Sequence, residues 1–190
     1  MNLKSIYKKL FEHIDNFWPD NKKEVFTWEL GKIKSVLPDF FVIRIEPKSS
    51  DEPWLYITHG AWTVESGKNY KREFFLMCPF ENPRHIETLA MLASFYVDSK
   101  YDLDVGSSVN IGRGWLENSN YDRLLVSLPY PYGSSLEICK LSNITVKYLW
   151  LLPINFEEDS YLKKYGLEAL EQKFDEAEID FLNYNRPSVV

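Results

Sequence analysis

Three histidines, two cysteines and one run of acids are the groups in this 190-residue chain with the chemistry for a reactive centre. His13, His59 and His85 stand in separate stretches, without the HxxxH or HExxH spacing that sets two imidazoles on one helix face around a metal. Cys78 and Cys139 lack a second Cys or His at the short spacing of a zinc site, and read as buried free thiols. There is no GxSxG elbow and no GxxxxGK[ST] phosphate loop, and Gly106, Gly112 and Gly114 are wrongly spaced for GxGxxG. The reading is therefore no catalytic set, no cofactor and no metal. His59, between Thr58 and Gly60 with Trp62 nearby, is the one conceivable general base and would make the chain a small hydrolase. Its plainer reading is a polar residue where a strand gives way to a loop.

The remaining candidates are surface groups. Glu157, Glu158 and Asp159 are consecutive acids that would leave a helix in different directions, and the helix dipole favours them as a solvated first turn. Trp115 and the Pro129–Tyr132 turn, with Tyr130 and Tyr132, place aromatics in loops, where they are exposed or close a small cluster beneath the loop. Together Glu157, Glu158, Asp159, Trp115, Tyr130 and Tyr132 form the candidate partner-binding set. Glu158 has a second reading as an intramolecular structural group, and Arg186 invites a salt bridge to the acidic helical region. The formal net charge of −6 disfavours polyanionic partners, so neither nucleic acid nor a membrane surface is expected. Residues 153–190 hold nine acids against four bases, which makes the C-terminal region the acidic end. Lys68, Lys71 and Arg72 around Tyr70 read as a polar hairpin or loop.

The elements that must carry these groups are legible from periodicity. Leu3, Ile6, Tyr7, Leu10, Phe11, Ile14, Phe17 and Trp18 form a helical stripe that Pro19 ends. The stretch to Pro38 reads as an extended piece. Phe40–Glu46, Trp54–Gly60 and Arg72–Cys78 read as strands, with Trp54 and Tyr56 as core. Asn82-Pro83 reads as an N-cap and first turn for a helix bearing Ile86, Leu89, Leu92, Ala93 and Tyr96. Residues 102–122 read as irregular loop with edge strand, and Arg123–Leu128, Ser135–Leu141 and Ile144–Ile154 as three more strands. Helices return after Pro153, with Gly166 between two of them. The expectation is one α+β domain over 1–190: a mixed, mainly antiparallel sheet flanked by helices at both chain ends and one central helix. The N-terminus lacks the apolar core of a secretory signal, and no apolar run is long enough to cross a bilayer, so the expected location is cytoplasmic.

With the elements in place, the order of motifs resembles the Suppressor of fused (SUFU) domain family, bacterial stand-alone type. The matching pieces run from about residue 38 to 190: Phe41-Val-Ile-Arg-Ile-Glu-Pro47, Trp54-Leu-Tyr-Ile-Thr-His-Gly60, Glu73-Phe-Phe-Leu-Met-Cys-Pro79, Leu89-Ala-Met-Leu-Ala93, Gly106, Leu152-Pro-Ile-Asn-Phe-Glu-Glu158, Gly166-Leu-Glu-Ala-Leu170 and Arg186-Pro-Ser-Val189. Residues 1–37, the N-terminal helix and its extension, carry none of it. The resemblance implies a mixed sheet with flanking helices and a protein-binding module rather than an enzyme. Animal members hold a peptide from a transcription factor between this domain and a second one. Bacterial relatives are associated with polymorphic toxin loci, which implies an immunity protein with a toxin domain as partner. A regulator that binds a peptide by β-addition is the other reading that the resemblance leaves.

Overall fold

The computed structural model describes residues 2–65, 67–98 and 102–190. They divide into two compact units, Met1–Asp102 with Leu128–Trp150 and Leu103–Ser127 with Leu151–Val190.

In the first unit, helix α1 (Leu3–Phe17) starts where the Asn2 side chain accepts the Ser5 N–H, and it buries Ile6, Leu10 and Ile14 on its predicted stripe. Each such side chain contributes roughly 1.5–3 kcal/mol when taken out of water. Strand β1 (Lys23–Thr27), helix α2 (Lys32–Val36), β2 (Phe41–Ile45) and β3 (Trp54–His59) follow. A 3-10 turn at Ala61–Thr63 leads to β4 (Lys71–Cys78) and then helix α3 (Arg84–Val97). The strands pair antiparallel from β1 to β4. On its other side β4 pairs in parallel with β8 (Thr145–Ile154), from Lys71 opposite Val146 to Phe75 opposite Trp150. With a neighbour on each side and both faces covered, β4 reads as a nearly continuous apolar run.

The second unit holds β5 (Ser108–Asn110), β6 (Arg123–Ser127), the end of β8, and helices α5 (Phe156–Tyr165) and α6 (Leu167–Glu176). Hydrogen bonding orders the strands β1-β2-β3-β4-β8-β6-β5. The mixed α+β class expected from the sequence is the one observed.

Three local expectations are corrected. Residues 135–141 are not one strand: Gly133–Glu137 is a short helix, α4, and only Ile138–Lys140 is extended, as β7 against β8. The stretch after Pro19 contains β1 but also α2, because Ile33 and Leu37 at four-residue spacing bury one face. The central helix begins at Arg84, not Pro83. The Asn82 side chain accepts the Arg84 N–H at 3.1 Å, and Pro83, which has no N–H, takes the cap.

Candidate interaction site

Two of the three acids in the run of the second unit are buried rather than solvated, and for Glu158 this is its second reading, an intramolecular structural group. Asn155 caps α5: its side chain accepts the Glu158 N–H at 2.8 Å, and the Glu158 carboxylate accepts the Asn155 N–H at 3.3 Å. This reciprocal box turns Glu158 inward. There Arg186 donates to both of its oxygens, Nη1 to Oε1 at 2.6 Å and Nη2 to Oε2 at 2.8 Å, and the Val189 N–H adds a further bond. The Tyr121 ring, 4.5 Å from the guanidinium carbon, and Phe174, at 5.5 Å, close the pair off, and the Tyr121 hydroxyl donates to the Arg186 carbonyl. Asp159 is buried too, among Ser108 Oγ, Arg123 Nε at 3.1 Å and Lys163 Nζ at 2.6 Å. Burial pushes the Asp159 carboxyl upward, but the bonds from Lys163 and Ser108 and the charges of Lys163 and Arg123 outweigh it and hold the group below its ordinary value. Of the three acids, only Glu157 faces water.

The Ser108–Asp159 bond fixes β5 beside the first turn of α5. Among the described residues β5 is an end strand, paired on one side with β6. The Ile111 N–H to Asp122 carbonyl bond sets the alternation, so the main-chain groups of Ser108 and Asn110 point away from β6. Asn110 lies opposite Arg123, whose guanidinium covers the ring of Phe156 at 5.0 Å. Phe156 itself is 60% exposed. The second unit thus presents an open strand end, an exposed aromatic and the Glu157 carboxylate around the start of one helix.

The loop aromatics separate. Trp115 is fully buried, so of its two readings the cluster beneath the loop holds and the exposed one does not: its main-chain N–H pairs with the Tyr121 carbonyl and draws the loop over it. Tyr132 packs edge-on against Trp18 and Phe75 and is half-buried. Tyr130 alone is exposed, at 57%, and it belongs to the first unit.

His59 is 1% exposed, ringed by Tyr7, Phe11 and Phe41, and its Nε2–H donates to the Tyr7 carbonyl at 3.0 Å. Desolvation lowers its pKa to about 4, and among the described residues neither a carboxylate nor a hydroxyl hydrogen-bonds to it. That packing removes the hydrolase reading built on His59. The buried carboxylate the sequence reading passed over is Glu73 on β4. Its oxygens accept the Gly60 N–H at 2.7 Å, the Trp62 N–H at 3.3 Å and the Thr58 hydroxyl. Gly60, at φ +118, curls the chain so that consecutive N–H groups converge on that oxygen, and a Cβ there would meet the Phe40 Cα at 3.0 Å. Desolvation raises the Glu73 pKa to about 8. Its neighbour Arg72 is also fully buried, donating to Asp102 at 2.7 Å between the rings of Tyr70 and Tyr96, so Lys71 and Arg72 open a core strand rather than line a polar loop. Charged residues at the head of an apolar strand were the available signal for both.

Among the described residues, no group of three or more His, Cys, Asp or Glu side chains is placed to hold a metal ion, and no helix is long and apolar enough to cross a membrane.

A family model described as Suppressor of fused protein (SUFU) matches residues 39–187. The crystal structure of a SUFU homologue from Neisseria gonorrhoeae FA 1090 is similar to the chain at 43% identity with a TM-score of 0.87, over 97% of this chain and 96% of that one. Sufu in the Sufu–Fu complex matches at 14% identity and a TM-score of 0.67, over 98% of this chain and 91% of that one. Drosophila Suppressor of Fused matches at 14% and 0.64, with 98% of this chain covering 51% of that protein, and these two likenesses bear on the fold alone. The search of curated proteins found no match.

Proposed function

The chain belongs to the Suppressor of fused family, and from that premise we propose that it is a non-enzymatic protein-binding domain of the immunity type, which neutralises a cognate toxin by direct binding. The observation that carries this reading is the distribution of charge. The first unit has sixteen acids and sixteen bases, and the second has twelve acids against six bases, so the whole net charge of −6 resides there. Glu158 and Asp159 are neutralised internally, yet Glu157, next in the chain to Phe156, is exposed. An aromatic anchor within an acidic field suits a basic partner such as a nuclease toxin, because complementary potentials speed encounter while a buried aromatic supplies affinity. Tyr130 is the contact candidate of the first unit. The relative in the Sufu–Fu complex is likewise held by a protein.

The test is affinity capture with the tagged chain from its native host, followed by titration of any recovered protein at rising salt. A basic toxin domain whose affinity falls steeply with salt is expected. Recovery of no such protein, or of one indifferent to salt and to Phe156→Ala, overturns the reading. The second reading, a regulator that adds a peptide strand, is favoured by the outward main-chain groups of Ser108 and Asn110. It is distinguished by a short synthetic segment of the partner sufficing for full affinity.

A further inference from the structure

We propose that the first unit carries a binding site for a free aromatic amino acid, in the cavity between the start of α1, the segment after β1 and the segment that leads into β2. The cavity measures about 640 Å³, a size typical of small-molecule sites, and every residue that lines it belongs to that unit. Its walls are largely aromatic. Trp28 and Phe40 contribute one pair of rings, 5.6 Å between centroids, and Tyr7 and Phe41 a second, stacked at 6.4 Å. Such walls receive a planar ring by offset or edge contact and gain more from it than burial alone. They disfavour a ligand that is polar throughout.

The charged groups of the lining name the two ends of the ligand. Lys4, Glu29 and Asp39 line this one cavity, yet among the described residues none of their side chains makes an ion pair or a hydrogen bond. The ammonium and the two carboxylates therefore stand too far apart to pair with each other. The remaining lysine of the lining, Lys34, is committed, donating to the Pro38 carbonyl at 2.8 Å. Lys4 lies in the first turn of α1, where the helix dipole disfavours a cation and favours an anion. A carboxylate bound there meets both the ammonium and the positive end of the helix. The Tyr7 phenol is pushed upward in pKa by burial and by the charges of Glu73 and Asp39, so it stays a hydroxyl able to donate. A plain amine would leave Lys4 unanswered, and a plain acid would leave Glu29 and Asp39 unanswered. A zwitterion with an aromatic body answers the whole lining.

Calorimetric titration of the full chain with L-tryptophan, tryptamine and indole-3-propionate tests it, since the three share a ring and differ only in their charged ends. L-Tryptophan is expected to bind most tightly, and each of the others about fivefold more weakly, the loss of one exposed ion pair. Lys4→Ala, at an exposed position and so compatible with folding, is expected to weaken L-tryptophan about fivefold and to leave tryptamine unchanged. Asp39→Asn, also at an exposed position, is expected to weaken L-tryptophan and tryptamine and to leave indole-3-propionate unchanged. Absence of binding by L-tryptophan and L-phenylalanine alike at millimolar concentration overturns the proposal. So does equal affinity for the three indoles, or an affinity for L-tryptophan indifferent to either variant.

Discussion

Arg186 and Glu158 meet as a two-pronged pair, guanidinium nitrogens at 2.6 and 2.8 Å from the two carboxylate oxygens, with Tyr121 and Phe174 shielding the cation. One partner arises four residues from the chain end and the other from the third position of α5, so the ion pair ties the C-terminal segment to the helix. Its fork geometry demands a planar guanidinium.

Arg186→Ala therefore leaves a buried carboxylate without its cation, a change that typically costs about 3–5 kcal/mol. Melting followed by circular dichroism is expected to fall by about 10 °C for a chain of this size. Arg186→Lys restores the charge but not the second donor, and is expected to recover only part of the loss. An unchanged melting curve for Arg186→Ala would reassign the residue from scaffold to partner contact.

Glu157 is the counter-case, adjacent in sequence and opposite in role. Exposed, and among the described residues given no ion pair, it contributes little to the fold, and Glu157→Lys is expected to leave the melting temperature within about 2 °C. The same substitution reverses charge beside Phe156 and is expected to slow association with a basic partner several-fold at low salt and little at high salt. Stopped-flow association rates at two ionic strengths check it, and a loss confined to dissociation would contradict electrostatic steering.

Gly60 gives a third prediction. Gly60→Ala introduces a Cβ 3.0 Å from the Phe40 Cα and 3.1 Å from the Tyr7 hydroxyl at a φ of +118, disfavoured for any L side chain. The turn must shift, and the N–H groups that converge on Glu73 shift with it. A loss of about 2 kcal/mol or more in urea unfolding is expected; a stability equal to that of the parent would show that the turn holds Glu73 by other means.

These residues also mark where sequence reading succeeds and where it stops. The stripe of α1 and the apolar run of β4 were legible because burial of one face or both imposes a period. Gly166 was legible as a helix end, since it sits at φ +88 between α5 and α6. Glu158 was legible only as one of two readings, surface contact or intramolecular structural group, and Asp159 misled, because a helix start favours acids whether they face water or a buried cation, and Arg186 and Arg123 reach them from 28 and 36 residues away. For Trp115 the sequence left exposure and a cluster beneath the loop open, because its loop is polar while the contacts that cover it are tertiary. Helix α2 and the split of residues 133–140 were missed because elements of three to five residues carry too few positions to establish a period.

Glu73 makes stability depend on pH in a window where few other groups titrate. Its folded pKa of about 8 lies above the ordinary value of 4.5, because burial penalises the ionised form more than the N–H bonds favour it. The folded state therefore keeps a proton that the unfolded chain has already lost. The stabilisation is complete below the ordinary value and disappears as pH rises through about 8. His59 acts in the opposite sense, its folded pKa of about 4 lying below 6.5, so that it removes stability only as pH falls below 6.5. Between about pH 6.5 and 8 the Glu73 contribution has a slope of up to roughly 1.4 kcal/mol lost per pH unit. Glu73→Gln keeps an amide oxygen for the Gly60 N–H while removing the titration. Urea unfolding at half-unit steps from pH 6.5 to 8 is expected to show the parent declining and Glu73→Gln flat. Parallel slopes for the two proteins would mean that Glu73 is ionised in its turn.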